Sequence, residues 1–163
     1  MNDPLRIGIA GLGTVGVGTI KLLRENKNIL AERCGREAIV TAVSARDPDK
    51  DRGVLLGDFK WHSDALTLAM DHNIDVVVEL IGGSDGIAKD LVEAALANGK
   101  HVVTANKALV AHHGATLAVA AENAGLVLAY EAAVAGGIPI IKALREGLSA
   151  NTIDHVYGIL NGT

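Results

Sequence analysis

The sequence predicts an α/β domain built on a doubly wound, mostly parallel sheet with helices on both faces. Three observations carry that expectation. Continuous apolar runs rich in Val, Ile and Leu, at residues 5–10, 38–44 and 75–80, read as strands buried on both sides. Longer amphipathic or alanine-rich segments lie between the strands, so strand and helix alternate through short connections. Of the 163 residues 49% are apolar and 19 are glycine, yet there are only one Trp, two Tyr and one Phe, so the core must be packed from Ala, Val, Leu and Ile. The length suffices for one domain of ordinary size with its own core.

Residues 5–10 form the first strand. It runs straight into Gly11-Leu12-Gly13-Thr14-Val15-Gly16, and a helix follows from residue 14 to about 26, with Val15, Ile20, Leu22 and Leu23 on its apolar side. Strand, glycine turn and helix form the context in which a G-x-G-x-x-G pattern holds the pyrophosphate of a dinucleotide, which makes the expected fold Rossmann-like. Gly11 permits the turn, Gly13 lets the main chain approach the phosphates, and Gly16 lets the helix lie close to the strand. The anion then meets free N–H groups and the positive end of the helix dipole. A tight turn that binds nothing is the plain alternative.

Residues 26–36 are polar and should end the helix and loop back. The β-branched run 38–44 is the second strand. Arg46-Asp47-Pro48-Asp49-Lys50-Asp51-Arg52-Gly53 is a charged, turn-forming loop that runs on to about residue 61. Ser63 or Asp64 can cap a short helix ending near Asp71. The strand at 75–80 leads into Ile81-Gly82-Gly83-Ser84, and a helix over 85–98 is stopped by Gly99. A strand at 101–103, an alanine-rich helix at 107–123 stopped by Gly125, and a strand at 126–129 follow. Residues 137–146 can form a helix with Pro139 in its first turn, and 152–159 reads as a strand. The expected division is a dinucleotide-binding domain over residues 1–150, with 151–163 starting a catalytic and dimerisation region. A strand followed by Asn161-Gly162-Thr163 is a poor end for a self-contained enzyme, so one domain of a longer protein, or a stand-alone version of it, is expected.

The net charge of −4, the lack of a basic tract and the scarcity of aromatics argue against nucleic-acid binding. No run approaches about 18 apolar residues, so no membrane helix is expected, and the N-terminus shows no secretory leader. The single cysteine, Cys34, excludes an intrachain disulfide framework and suits a reducing, cytoplasmic setting. His112 and His113 are adjacent on a helix and point in different directions, while His62, His72, His101 and His155 are isolated. All six read as surface or strand-edge residues, without metal-ligand spacing.

In an open parallel sheet the ligand lies beyond the carboxyl ends of the strands. After the second strand, Arg46 stands beside Asp47. An arginine pairs with a 2′-phosphate, whereas a carboxylate accepts from both ribose hydroxyls. Arg46 thus favours NADP, with Lys50 or Arg52 able to add to it, and Asp47 keeps NAD open. Ile81, Gly82 and Gly83 would let the chain pass close to ribose and phosphate, with a plain helix entry capped by Ser84 or Asp85 as the alternative. Glu79, at the end of its strand, needs a partner if it is buried and is assigned no catalysis. In Thr104-Ala105-Asn106-Lys107, the lysine points into the crevice, where it can hold a substrate carboxylate or move a proton. A merely exposed lysine at a helix start is the alternative.

Five blocks now stand in order: Gly11-Leu12-Gly13-Thr14-Val15-Gly16, Val76-Val77-Val78-Glu79-Leu80-Ile81-Gly82-Gly83, Val102-Val103-Thr104-Ala105-Asn106-Lys107-Ala108-Leu109, Tyr130-Glu131-Ala132-Ala133-Val134-Ala135-Gly136-Gly137-Ile138-Pro139-Ile140-Ile141, and Gly158-Ile159-Leu160-Asn161-Gly162-Thr163. Together they resemble homoserine dehydrogenase. The resemblance implies NAD(P)-dependent interconversion of L-homoserine and L-aspartate 4-semialdehyde, within threonine and methionine biosynthesis. It puts Thr104, Asn106 and Lys107 beside the nicotinamide, with Lys107 as the catalytic candidate. It also implies a monovalent metal ion, usually sodium, held by Glu131 and the carbonyls of Val134, Gly136 and Ile138. A hard cation does prefer oxygen ligands, but spacing alone reads Glu131 as a surface or helix-capping carboxylate. The full-length protein is expected to be a homo-oligomer acting on a small molecule, without nucleic-acid or membrane partners. In the family the substrate-binding acids and the proton-donating lysine lie beyond Asn-Gly-Thr, so this chain is expected to bind dinucleotide without useful turnover. Two rival readings are a non-catalytic dinucleotide-sensing regulatory module and the cofactor domain of another small amino-acid dehydrogenase.

Overall fold

The computed structural model describes residues 3–158. Six parallel strands form one sheet: β1 (Leu5–Ala10), β2 (Ala38–Ser44), β3 (Lys60–His62), β4 (Val76–Glu79), β5 (His101–Thr104) and β6 (Leu128–Ala129). Their order across the sheet is β3-β2-β1-β4-β5-β6, with every pairing parallel. The chain therefore builds outward from β1 in one direction, crosses back to β4, and builds outward in the other. Such a reversal opens a crevice at the carboxyl ends of β1 and β4.

The helices are α1 (Thr14–Glu25), α2 (Lys27–Cys34), α3 (Leu66–Met70), α4 (Ile87–Ala97), α5 (Lys107–Asn123) and α6 (Ile140–Lys142), the last continuing into a π-helical turn at Ala143–Gly147. Alternate side chains of each strand enter opposite cores. Ile7, Ile9, Val43, Val76 and Val78 pack with Leu12 and Ile20 on the α1 side. Ala10, Ala42, Val77 and Val102 pack on the other side with Leu68 of α3, Leu91 and Val92 of α4, and Leu109 and Leu117 of α5.

Four local expectations are corrected. Residues 27–34 are helical rather than a loop; none of α2 is buried, so it has no apolar stripe to read. A strand, β3, lies inside the expected 46–61 loop, as three residues on the sheet edge. The helix expected over 137–146 is broken into short α and π turns starting after Pro139. Residues 152–158 pair with no strand and are exposed. Residue 159 and the Leu160-Asn161-Gly162-Thr163 end of the last block lie outside the described residues. One helix start also moves: Gly86 adopts φ 67° and ψ −138°, so α4 begins at Ile87 rather than Asp85.

Candidate functional site at the strand ends

The turn between β1 and α1 is folded as its glycines require. Gly11 has φ +98°, and a Cβ there would sit 2.4 Å from the Leu80 carbonyl oxygen. A Cβ on Gly16 would sit 2.0 Å from the Gly11 carbonyl oxygen, so the helix packs directly on the turn. Gly13 is different: nothing lies within 4 Å of where its Cβ would be, and the residue is exposed. Gly13 is the N-cap of α1, offers no side-chain cap, and is followed by no acidic residue in the first turn. The first intrahelical donor is the amide of Val17, bonded to the Gly13 carbonyl at 3.0 Å. The amides of Thr14, Val15 and Gly16 precede it and have no helical acceptor. Leu12 is buried in the α1-side core, so it anchors the turn from beneath.

After β2, Arg46 is exposed and has no hydrogen-bond or ion-pair partner among the described residues. Asp47 accepts the Asp49 amide on Oδ1 at 2.9 Å, the usual start of an Asx turn. Arg52 bonds within the protein. Its guanidinium donates to the carbonyls of Asp47, Lys50 and Leu12, at 3.3 Å for the last, and lies 5.7 Å from the Trp61 ring centre. It ties the charged loop to the glycine turn.

After β4, Gly82 and Gly83 both take left-handed conformations, φ 88° and 87°. Their turn is bonded from two sides. Glu79 accepts the Ile81 amide at 2.7 Å and the Gly82 amide at 3.2 Å on one carboxyl oxygen. Asn106 donates its Nδ2 to the Gly83 carbonyl at 2.6 Å. Glu79 is fully buried, and its other oxygen accepts the Thr104 hydroxyl at 2.6 Å. Sequence reasoning required a partner for Glu79 without finding one; the signal was the pairing of strand ends, because Glu79 and Thr104 are register partners. Ser84 and His113 bind Asp85, at 2.6 and 2.9 Å, and hold its carboxyl below the ordinary range, the serine hydroxyl most strongly.

After β5, Asn106 caps α5 by accepting the Leu109 amide at 3.1 Å. Thr104 and Asn106 are buried, whereas Lys107, the first residue of α5, is exposed. The turns at 11–16, 81–83 and 104–107 thus meet at one end of the sheet: the Gly11 position abuts Leu80 and Ile81, and Asn106 reaches Gly83. Arg52 ties the loop that follows β2 to the same end through the Leu12 carbonyl.

Glu131 lies apart, beyond β6. Its oxygens accept the amides of Ile141 and Lys142 at 3.0 and 2.8 Å, so it caps the start of α6. Ala135, Gly136 and Gly137 run through positive φ, and the Ile138 carbonyl accepts the Ile140 amide at 2.8 Å. Among the described residues no three His, Cys, Asp or Glu side chains gather as a metal cluster. His62, expected at a surface or strand edge, is buried on edge strand β3 against Thr67 and Asp71.

A family model described as the NAD-binding domain of homoserine dehydrogenase matches residues 11–131, the segment containing all the turns above. The chain belongs to the homoserine dehydrogenase NAD-binding family. It is similar to the homoserine dehydrogenase of Pseudomonas aeruginosa, 51% identical over 98% of this chain and 36% of the relative. That of Neisseria gonorrhoeae is 48% identical over the same shares. Among solved structures, a homoserine dehydrogenase from Thiobacillus denitrificans superposes with a TM-score of 0.83 at 50% identity, covering 91% of this chain and 34% of that one. A hyperthermophilic archaeal homoserine dehydrogenase in complex with NADPH superposes with a TM-score of 0.73 at 26% identity, covering 91% and 50%. The chain spans about a third of the length of the curated relatives it matches. The family thus bears out the Rossmann-like fold and the NAD(P)-binding reading of the chain.

Proposed function

We propose that this chain is the cofactor-binding part of an oxidoreductase that interconverts L-homoserine and L-aspartate 4-semialdehyde, in aspartate-derived threonine and methionine biosynthesis. The observation that carries the reading is the uncapped, acid-free N-terminus of α1, set against Gly11 and Gly16 within the segment that the family model matches. When bound, the dinucleotide supplies a hydride acceptor or donor.

The remaining roles belong to this chain's residues. Gly11, Leu12, Gly13, Thr14, Val15 and Gly16 form the pyrophosphate turn, with main-chain amides as donors. Arg46, exposed and without a partner among the described residues, takes the 2′-phosphate, so NADP is preferred over NAD. Ile81, Gly82 and Gly83 pass close to ribose and phosphate. Thr104 and Asn106 shape the nicotinamide-side turn. Lys107 orients the substrate carboxylate or moves a proton at the reacting oxygen, with its chain free to reach the crevice.

For the monovalent metal ion, sodium in the reading above, the fit is chemical. Glu131 keeps lone pairs on both oxygens beyond its two amide contacts, and the positive-φ segment 135–137 can turn carbonyls of Val134 and Gly136 toward it. The Ile138 carbonyl already has one donor and retains its second lone pair. Residues 151–163 begin the catalytic and dimerisation region, and the longer protein is a cytoplasmic homo-oligomer without nucleic-acid or membrane partners. Among the described residues no helix is long and apolar enough to cross a membrane.

Calorimetric titration tests the reading. The chain should bind NADP more tightly than NAD and should show no homoserine oxidation on its own. Absence of dinucleotide binding would refute the cofactor role, and turnover by the isolated chain would refute the division of labour.

A further inference from the structure

We propose that Glu79 is a positioning residue that locks the two nicotinamide-side turns of the site into one rigid unit, acting through Thr104 and Asn106. The inference rests on the dinucleotide reading above. In a doubly wound sheet each half holds one nucleotide, and the β1–β2 half takes the adenosine. The turns after β4 and β5 therefore face the other nucleotide.

Glu79 ends β4, whose preceding residues are all valine. A carboxyl group there is fully buried, which is costly without partners. Among the described residues it has no cationic partner; its contacts are hydrogen bonds, and their directions are fixed by chemistry. Oε1 accepts the Ile81 and Gly82 amides. Oε2 accepts the proton of the Thr104 hydroxyl. With its proton committed, the Thr104 oxygen accepts the Asn106 amide at 3.0 Å. Asn106 then donates to the Gly83 carbonyl. The circuit leaves Glu79 through one turn and returns through the other. It encloses Gly82 and Gly83, whose backbone freedom would otherwise leave that turn loose. A valine would satisfy the sheet at this position, but only a group with two acceptor oxygens serves both turns at once.

The test compares two ligands on the 163-residue chain: NADP, and 2′,5′-ADP, which lacks the nicotinamide mononucleotide half. Glu79→Gln keeps size and one acceptor but presents an NH₂ group to Thr104, which reverses the relay. NADP affinity should fall about ten-fold, while 2′,5′-ADP affinity changes by less than about two-fold. Amide exchange at Ile81, Gly82 and Asn106 should accelerate. Thr104→Val, which removes the linking hydroxyl at nearly constant shape, should give the same split and carries the test if Glu79→Gln does not fold. Equal loss for both ligands, or loss for neither, overturns the inference while leaving the cofactor reading intact. Failure of the unaltered chain to bind either ligand overturns the cofactor reading, and the inference with it.

Discussion

Replacing Gly16 by Ala adds one methyl group at the most crowded point of the glycine turn. Its Cβ would lie 2.0 Å from the Gly11 carbonyl oxygen and 3.1 Å from that carbonyl carbon, both backbone atoms that cannot rotate away. Relief to even a tight contact requires α1 to retreat by about 1 Å from the turn, because packed interiors do not absorb such an overlap. The retreat carries the Thr14, Val15 and Gly16 amides with it. Two charge-assisted bonds to a pyrophosphate, each worth about 1.5 kcal/mol or more, would be stretched beyond useful length. Dinucleotide affinity should fall about 100-fold, and unfolding stability by about 1–3 kcal/mol. Gly18→Ala is the control: it lies in the same helix, with nothing within 4 Å of its Cβ position. It should bind normally and gain about 0.5–1 kcal/mol, because alanine is the better helix former. Calorimetric titration with NADP and urea unfolding read both variants. Wild-type affinity in Gly16→Ala, or equal losses in the two variants, would refute the packing argument and the placement of phosphate at this helix end.

Arg46→Ala should weaken NADP by about ten-fold and leave NAD within about two-fold, read by titrating each cofactor; a uniform loss would remove the 2′-phosphate role. Lys100 is buried, donates to the Asp71 and Ile74 carbonyls at 2.7 and 2.8 Å, and burial pushes its pKa down. Lys100→Met strands both carbonyls while relieving a buried charge, so a net loss of about 2 kcal/mol is expected in urea unfolding. Asp71 is held down to about 2 from 3.8, first by its hydrogen bond to Lys60 and then by the Asn73 amide, with His62 assisting. A depressed folded pKa adds stability that is complete above pH 4 and is lost as pH falls toward 2. Denaturation curves should therefore steepen between pH 4 and 2, and Asp71→Asn should flatten that interval.

The long elements were legible because burial imposes a pattern on them. β1, β2 and α5 have the boundaries that their apolar runs and punctuation suggest. α2 was not, because a helix with no buried residue carries no apolar stripe. β3 is held by its neighbour β2 on the sheet edge, and Lys60-Trp61-His62 is too short to show alternation. Of the candidate site, the glycine turn could be read directly, since Gly11 and Gly16 answer local steric demands. The roles of Arg52 and Glu79 could not, because both depend on contacts between turns separated in sequence by about 25–40 residues. Arg52, which the sequence offers as able to add to the 2′-phosphate site, also ties two loops by donating to main-chain carbonyls.

That tie separates how the adenosine-side loop is held from what it reads. Arg52 grips main-chain carbonyls, which every residue possesses, and Asp47 closes a local turn. Arg46 takes part in neither contact. Its side chain can be exchanged for a neutral or acidic one without unseating the loop, so if Arg46 takes the 2′-phosphate as proposed, the choice between phosphorylated and unphosphorylated cofactor can be retuned at a single position of an unchanged scaffold.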